Sequence, residues 1–144
     1  MKKAEMLRLL DRPEVDSWRA LMNGFQVLYR HFEEALVKEG CSYSRFQLLF
    51  FLYFEGPLAP VDISKKMLVT RSNVSMFLRR MIQDNLVKES STMTSSKRPS
   101  YVLTSQGKDF FEKILPHHVG RVVSKMPALP KSQLKILENL TRRS

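Results

Sequence analysis

Two helix patterns joined by a two-residue connection constrain the fold of this chain more than any other feature. A short pattern covers residues 61–68 and has Asp62 in its first turn, where the helix dipole favours an acidic side chain. Val69 and Thr70 follow, and Thr70 is a good N-cap for a second helix over about 71–85. A short helix, a tight connection and a longer helix together predict a helix-turn-helix.

The segment after this pair has the pattern of a β-hairpin. Residues 86–88 and 101–103 are rich in strand-forming side chains. The stretch between them is rich in Ser and Thr and contains Lys97 and Arg98, so it is expected to be the hairpin loop. A hairpin placed directly after a helix-turn-helix predicts a β-hairpin wing.

Long apolar helices are expected on both sides of this unit, over residues 14–39 and 105–144. After Pro13, apolar side chains recur at three- and four-residue steps through five turns. Pro116 is expected to kink the second flank, because its ring removes a backbone donor. A continuous apolar stripe must be buried, and in a small chain the partner is expected to be a second subunit. The residues expected at this dimer interface are Trp18, Phe25, Val122, Leu134, Leu137 and Leu140.

Two further helices complete the expected order of elements. Ser42 or Ser44 can cap a helix that runs to about Phe54. That helix is apolar nearly all round, which places it at the centre of the core. A last helix is expected over about 131–142, after two prolines.

The chain is therefore expected to be one mainly α domain, residues 1–144, with a small β-hairpin wing. The winged helix-turn-helix covers residues 44–104 and is flanked by N- and C-terminal dimerisation helices. The most apolar segment, residues 46–54, is too short to cross a bilayer, and the N-terminal segment lacks the apolar core of a signal peptide. A lone cysteine, Cys41, fits a reducing compartment. We expect a cytoplasmic protein without a membrane partner.

The charge of the chain is strongly basic. Its 24 Lys and Arg residues exceed its 14 Asp and Glu residues, which gives a formal charge of +10 and a pI near 10. Such an excess favours anionic partners, with nucleic acid first and anionic lipid second. The alternative is that the charge only keeps the protein soluble.

A helical wheel divides residues 71–85 into two faces. Val74, Leu78, Met81 and Asn85 point in one direction and are expected to be buried. The opposite face carries short polar side chains together with long cationic ones, and this combination suits the major groove of DNA. The alternative is an ordinary surface helix with solvated arginines. The side chains expected to contact DNA from this helix include Ser72, Asn73, Ser75, Met76, Arg79 and Arg80.

Basic residues beside this helix extend the expected DNA surface. Lys65 and Lys66, on the shorter helix, are placed to meet phosphates. Lys97 and Arg98 lie in a loop without acids, and an Arg at a hairpin tip can enter a narrow minor groove. The alternative is a disordered loop that is merely basic.

Three stretches of the chain resemble the MarR (multiple antibiotic resistance regulator) family of winged-helix transcription factors. The helix-turn-helix stretch is VDISKKMLVTRSNVSMFLRRMIQDNLVKES, and the wing stretch is KRPSYVLTSQG. The third stretch, FFEKILPHHVGRVVSKMPALPKSQLKILENL, is similar to the dimerisation helices of the family. The resemblance adds Thr70 and Arg71 to the recognition segment.

The resemblance implies a homodimer that binds double-stranded DNA at a near-palindromic operator and acts most simply as a repressor. It also implies a small-molecule effector, often phenolic or amphipathic, that binds between the dimer helices and the winged helix. The chain departs from the family pattern in two regions, the wing and the recognition segment. Thr94, Ser95 and Ser96 stand where an Asp usually precedes the basic pair of the wing, and Met76 stands where a basic residue is common.

Other chemistry-bearing residues favour less specialised roles. His117 and His118 are adjacent, so on a helix they diverge and cannot share one metal ion; pH sensing is the alternative. Cys41 is expected to be a small packing residue, with redox sensing as the alternative. We find no nucleophile–base pair, phosphate loop or cofactor motif, so we expect neither an enzyme nor a cofactor. The competing function is a basic interaction module for an acidic protein or an anionic membrane.

Overall fold

The structure is a computed structural model that describes residues 1–91 and 98–142. Within these ranges the chain is mainly helical, with one two-stranded antiparallel sheet. The elements are α1 (Lys2–Leu10), α2 (Pro13–Lys38), α3 (Tyr43–Glu55), α4 (Pro60–Met67), α5 (Arg71–Gln83), β1 (Val87–Glu89), β2 (Tyr101–Leu103), α6 (Ser105–Lys125) and α7 (Lys131–Arg142). The expected fold class, mainly α with a small β-hairpin, is confirmed.

Helix α3 lies at the centre of the core and contacts α2, α4, α5, α6 and β2. Ser42 caps it, because its side-chain oxygen accepts a hydrogen bond from the backbone N–H of Arg45. Phe46, Leu48, Leu49 and Leu52 are the buried residues of this helix. The prediction of a central helix is therefore confirmed on this face.

One side of α3 is nevertheless exposed, which corrects the expectation of a helix buried nearly all round. Phe50, Tyr53 and Phe54 remain large exposed apolar side chains in the single chain. Tyr53 uses its hydroxyl group to donate a hydrogen bond to Glu112 of α6 at 2.7 Å. Apolar composition alone could not show which turns of α3 the neighbouring helices cover.

Gly107 sets the approach between α6 and the start of the hairpin. A Cβ atom at this position would lie 2.1 Å from the backbone oxygen of Leu86, so only a glycine fits without a shift. Thr104 caps α6, as expected, by accepting a hydrogen bond from the N–H of Gly107 at 2.9 Å. The wing strands are thereby packed directly against the first turn of α6.

Two features of the helices differ from the sequence-based expectation. The nine-residue helix α1 was not expected, and none of its residues is buried. Helix α5 ends at Gln83 rather than near residue 85, because Asn85 adopts a left-handed conformation with φ of 58°. Asn85 is therefore exposed instead of belonging to the buried face. Pro116 lies inside α6, as expected.

Among the described residues, no helix is both long and apolar enough to cross a membrane.

Candidate nucleic-acid interface

The turn between α4 and α5 fixes where the recognition segment begins. Leu68 ends α4 in a left-handed conformation with φ of 54°, and the N–H of Val69 bonds to the oxygen of Ser64 at 3.2 Å. Thr70 then caps α5, since its side-chain oxygen accepts a hydrogen bond from the N–H of Asn73 at 3.2 Å. The expected N-cap is confirmed.

The inner face of α5 anchors the helix in the core. Val74, Leu78 and Met81 are buried, as the helical wheel predicts. They belong to the same hydrophobic cluster as Leu48 and Leu49 of α3. The outer face of α5 is consequently held in a fixed orientation by packing on the opposite side.

The outer face of α5 carries the expected DNA-binding side chains in exposed positions. Thr70, which caps the helix, is exposed as well. The sequence of α5 contains Arg71, Arg79 and Arg80 and no acidic residue. The exposed set comprises Arg71, Ser72, Asn73, Ser75, Met76, Arg79 and Arg80. This face is thus polar and cationic, and it is open to a partner.

The two lysines of α4 differ in their surroundings. Lys66 forms an ion pair with Glu55 at 2.9 Å, and its Nζ lies 5.9 Å from the centre of the Phe51 ring. Lys65 is exposed in the last turn of the same helix. The sequence did not reveal the pairing of Lys66, because Glu55 lies on another helix.

The wing is a short hairpin braced by a further backbone bridge. Val87 pairs with Leu103 and Glu89 with Tyr101, and the N–H of Ser90 bonds to the oxygen of Ser100 at 2.7 Å. The backbone of Tyr101 also exchanges two hydrogen bonds with Leu58. The expected hairpin is confirmed, with its first strand beginning one residue later than predicted.

The basic pair of the wing is only half described. Lys97 lies outside the described residues, whereas Arg98 is described and exposed. Arg98 lines a cavity of about 220 Å³ together with Arg71. A second cavity, of about 310 Å³, is lined by Arg79, Ser75 and Tyr101 among others. Sequence reasoning missed Tyr101 as a neighbour of α5, because the two are distant along the chain.

The residues expected at a dimer interface are mostly exposed in the single chain. Trp18, Phe25 and the three leucines of α7 are exposed, and Val122 is half-buried. Four further exposed apolar side chains, which the sequence analysis did not single out, lie on α1. These are Met6, Leu7, Leu9 and Leu10.

Glu39 links the C-terminal end of α2 to α6. Its carboxylate accepts hydrogen bonds from Arg121 Nη2 at 2.9 Å and from His117 Nδ1 at 2.6 Å. The hydrogen bond from Arg121 is the main cause that lowers the pKa of Glu39. Among the described residues, no group of three His, Cys, Asp or Glu side chains is placed to hold a metal ion.

His118 and Cys41 are both buried, unlike His117. The His118 ring packs 4.4 Å from the Phe46 ring centre and 5.2 Å from that of Phe32, and burial lowers its pKa. Burial raises the pKa of the Cys41 thiol to about 12. This environment agrees with the expected packing role of Cys41.

Comparison with known proteins supports the same reading of the helix-turn-helix. Residues 39–92 match the model of the MarR family. The HTH-type transcriptional repressor YetL of Bacillus subtilis (strain 168) is 22% identical over 125 residues, which cover 85% of this chain and 75% of YetL.

Solved structures share the fold over most of both chains. Sco3205, a MarR family transcriptional regulator from Streptomyces coelicolor solved in complex with DNA, has a TM-score of 0.75 and 24% identity and covers 92% of this chain and 89% of its own. Bordetella bronchiseptica BpsR, whose DNA binding is regulated by 6-hydroxynicotinic acid, has a TM-score of 0.69 and 19% identity. That likeness covers 88% of this chain and 92% of BpsR. The helix-turn-helix segment therefore matches the MarR family model, and the fold around it is shared with the MarR family regulator Sco3205.

Proposed function

We propose that the protein is a homodimeric transcriptional repressor that binds double-stranded DNA through α5. The two faces of α5 carry this proposal. Buried apolar side chains hold one face in the core, whereas the other face exposes short polar side chains and cationic side chains. The major groove is roughly 12 Å wide and admits a helix with such a face. Sco3205, a protein of the same fold, was solved in complex with DNA, which supports DNA as the partner.

The proposed roles of the side chains follow from their length and chemistry. Asn73 and Ser75 contact base edges, and Met76 offers an apolar contact to a thymine methyl group. Arg79 has the reach and the donors for a guanine edge. The remaining members of the proposed DNA surface contact phosphates or neighbouring bases: Lys65, Lys66, Thr70, Arg71, Ser72, Arg80, Lys97 and Arg98.

A dimer would place two α5 helices in successive major grooves of a near-palindromic operator. Half-sites of dimeric helix-turn-helix proteins lie about one helical turn apart. The exposed apolar side chains of α2 and α7, including Trp18, Phe25, Leu134 and Leu137, support a second copy as the partner that buries them. Val122 and Leu140 belong to the same proposed interface.

The proposed repressor would release DNA when a small-molecule effector binds between the dimer helices and the winged helix. Such a ligand acts only if it binds more tightly to a dimer whose recognition helices are wrongly spaced. The regulation of BpsR by a small heteroaromatic acid supports this mode of control. The proposed function requires no cofactor.

Selection of genomic fragments by the purified full-length protein tests the function directly. Binding of the selected duplex should exceed binding of a scrambled duplex at least about a thousandfold. The logarithm of the association constant should fall linearly with the logarithm of the salt concentration, with a slope of roughly −0.9 for each contacted phosphate and several phosphates in total. A selected site that overlaps a promoter and silences a reporter gene would support repression.

The same experiment separates this function from a basic module that binds an acidic protein or an anionic membrane. Equal affinity for selected and scrambled duplexes would contradict a sequence-specific regulator. Light scattering at several concentrations checks the dimer. Leu137→Glu should shift the protein towards the monomer, whereas Glu34→Gln on the exposed surface of α2 should not.

A further inference from the structure

Arg71 and Arg98 come from separate parts of the chain and line a single cavity. Arg71 is the first residue of α5, and Arg98 lies just before β2 in the wing. The cavity has a volume of about 220 Å³. Its remaining lining residues are Ala59, Pro60, Val61 and Pro99. No carboxylate is among the described residues that line it.

This lining suits an anion that has apolar groups on either side. Arginine binds phosphate through two parallel N–H bonds, and it does so better than a point charge of the same sign. Proline, alanine and valine side chains can contact the carbon atoms of neighbouring deoxyribose rings. The first turn of α4 and the first residue of α5 border the cavity, and helix N-termini favour negative charge.

The position of Arg98 argues against a role at the tip of the wing. The backbone bond between Ser90 and Ser100 closes the hairpin, and Arg98 is only two residues from Ser100. It therefore lies at the base of the loop.

We propose that Arg71 and Arg98 together bind one DNA backbone phosphate in this cavity. This inference rests on the proposed function and deepens it, because it makes Arg98 a phosphate contact rather than a minor-groove contact. The shared phosphate would connect the wing to the start of α5 in the DNA complex. It would thereby fix the register of α5 in the major groove.

Neutral phosphate analogues in the selected duplex test the proposal with the full-length protein. Each phosphate in turn is replaced by a methylphosphonate, and affinity is measured by fluorescence anisotropy. One replacement per half-site should weaken wild-type binding about tenfold, the typical loss for a charge-assisted hydrogen bond. The same replacement should leave the double variant Arg71→Ala/Arg98→Ala unaffected.

The single variants provide the second arm of the experiment. Arg71→Ala and Arg98→Ala should each lose part of their sensitivity at the same phosphate position, and their combined loss should be smaller than the product of the single losses. Arg19→Ala on α2 is the matched control and should leave the phosphate pattern unchanged. Circular dichroism verifies that each variant is folded.

Three results would overturn the proposal. The two single variants could lose sensitivity at different phosphates, or their losses could multiply independently. The loss caused by Arg98→Ala could instead depend on A·T-rich flanks, which would indicate minor-groove binding. In all three cases the wild-type protein still prefers the selected duplex, so the proposed function survives. A wild-type protein without that preference would overturn both.

Discussion

Arg45, in the first turn of α3, forms an ion pair with Asp84, the residue that ends α5. The next residue is bound to α6 as well: Asn85 Nδ2 donates to Gln106 Oε1 at 2.9 Å, and its backbone oxygen accepts from Thr104 Oγ1 at 2.7 Å. The C-terminal end of α5 is therefore attached to two separate helices. These contacts oppose rotation of α5 about its own axis.

Arg45→Gln is expected to lower the free energy of unfolding by roughly 1 kcal/mol, because the pair is only partly exposed. The side chains of Arg45 and Asp84 are 25% and 49% exposed. Arg30→Gln is the matched control, since its pair with Glu34 lies on the open surface of α2 and should contribute little. Urea denaturation measures both variants.

A charge reversal completes this test. The double variant Arg45→Asp/Asp84→Arg should recover part of the stability that each single reversal loses. Equal losses for Arg45→Gln and Arg30→Gln, with no recovery in the double variant, would show that the ion pair does not hold α5.

Local signals made α5 largely predictable from the sequence. The cap at Thr70 and the buried positions Val74, Leu78 and Met81 follow from rules that act over one or two turns. The helical wheel places Asn85 on the buried face because it assumes a helix through residue 85. In the structure the chain leaves the helix at Asn85, which adopts a left-handed conformation.

Contacts between distant segments could not be predicted in the same way. The shared cavity of Arg71 and Arg98 and the ion pair of Lys66 with Glu55 depend on how helices and wing pack. Helix α1 was not predicted. None of its residues is buried, so its apolar side chains have no partner surface within the chain. Periodicity identifies a helix but not its partner.

Gly107→Ala is expected to destabilise the protein by about 1–3 kcal/mol, the range found for overpacked positions. The added methyl group would lie 2.1 Å from the Leu86 backbone oxygen, so α6 and the wing must separate. Gly120→Ala, in the same helix, meets nothing within 4 Å and should instead stabilise by up to about 1 kcal/mol. Thermal or urea unfolding distinguishes the two.

The opposite signs of these two changes make the prediction specific. A destabilising Gly120→Ala would indicate that α6 is strained or covered along its whole length. A harmless Gly107→Ala would mean that the first turn of α6 does not approach Leu86 closely.

Because His118 is buried, the free energy of unfolding is expected to decrease in weakly acidic solution. Burial lowers its pKa from the ordinary value of 6.5, and Arg121 adds to the effect. Below that ordinary value the unfolded chain takes up a proton that the native chain resists, so stability decreases as the pH falls towards the native pKa. His118→Phe, which suits the surrounding rings of Phe32 and Phe46, should flatten this dependence.

Urea unfolding between about pH 7 and about pH 5 measures the effect of His118. His31→Gln removes an imidazole from α2 while leaving His118 in place, so it serves as the control and should keep the wild-type slope. Glu39, which is near Arg121, loses its stabilising ionised form only at lower pH, because its pKa is lowered. Parallel curves for the wild type and His118→Phe would exclude His118 as the source.

Arg79→Ala is expected to cost about 1–3 kcal/mol in binding free energy if Arg79 contacts a base. The loss should then depend on the sequence and vanish in duplexes that already lack the contacted base pair. Lys65→Ala is the comparison, because a phosphate contact should weaken all duplexes about equally. A uniform loss for Arg79→Ala would assign this side chain to the backbone instead.

Cys41 is expected to be chemically inert in the folded protein. The thiol is 1% exposed, and burial raises its pKa from 9.0 to about 12. A shift of this size lowers the thiolate fraction roughly a thousandfold, and the thiolate is the reactive form.

Ellman's reagent at mildly alkaline pH should therefore modify Cys41 only after urea is added, whereas the exposed position in Ser124→Cys should react at once. Diamide, an oxidant selective for thiols, should likewise leave DNA binding by the wild type unchanged. A native Cys41 that reacts as fast as the thiol introduced by Ser124→Cys, or DNA binding that is lost on oxidation and restored by a thiol reductant, would instead make Cys41 a redox sensor.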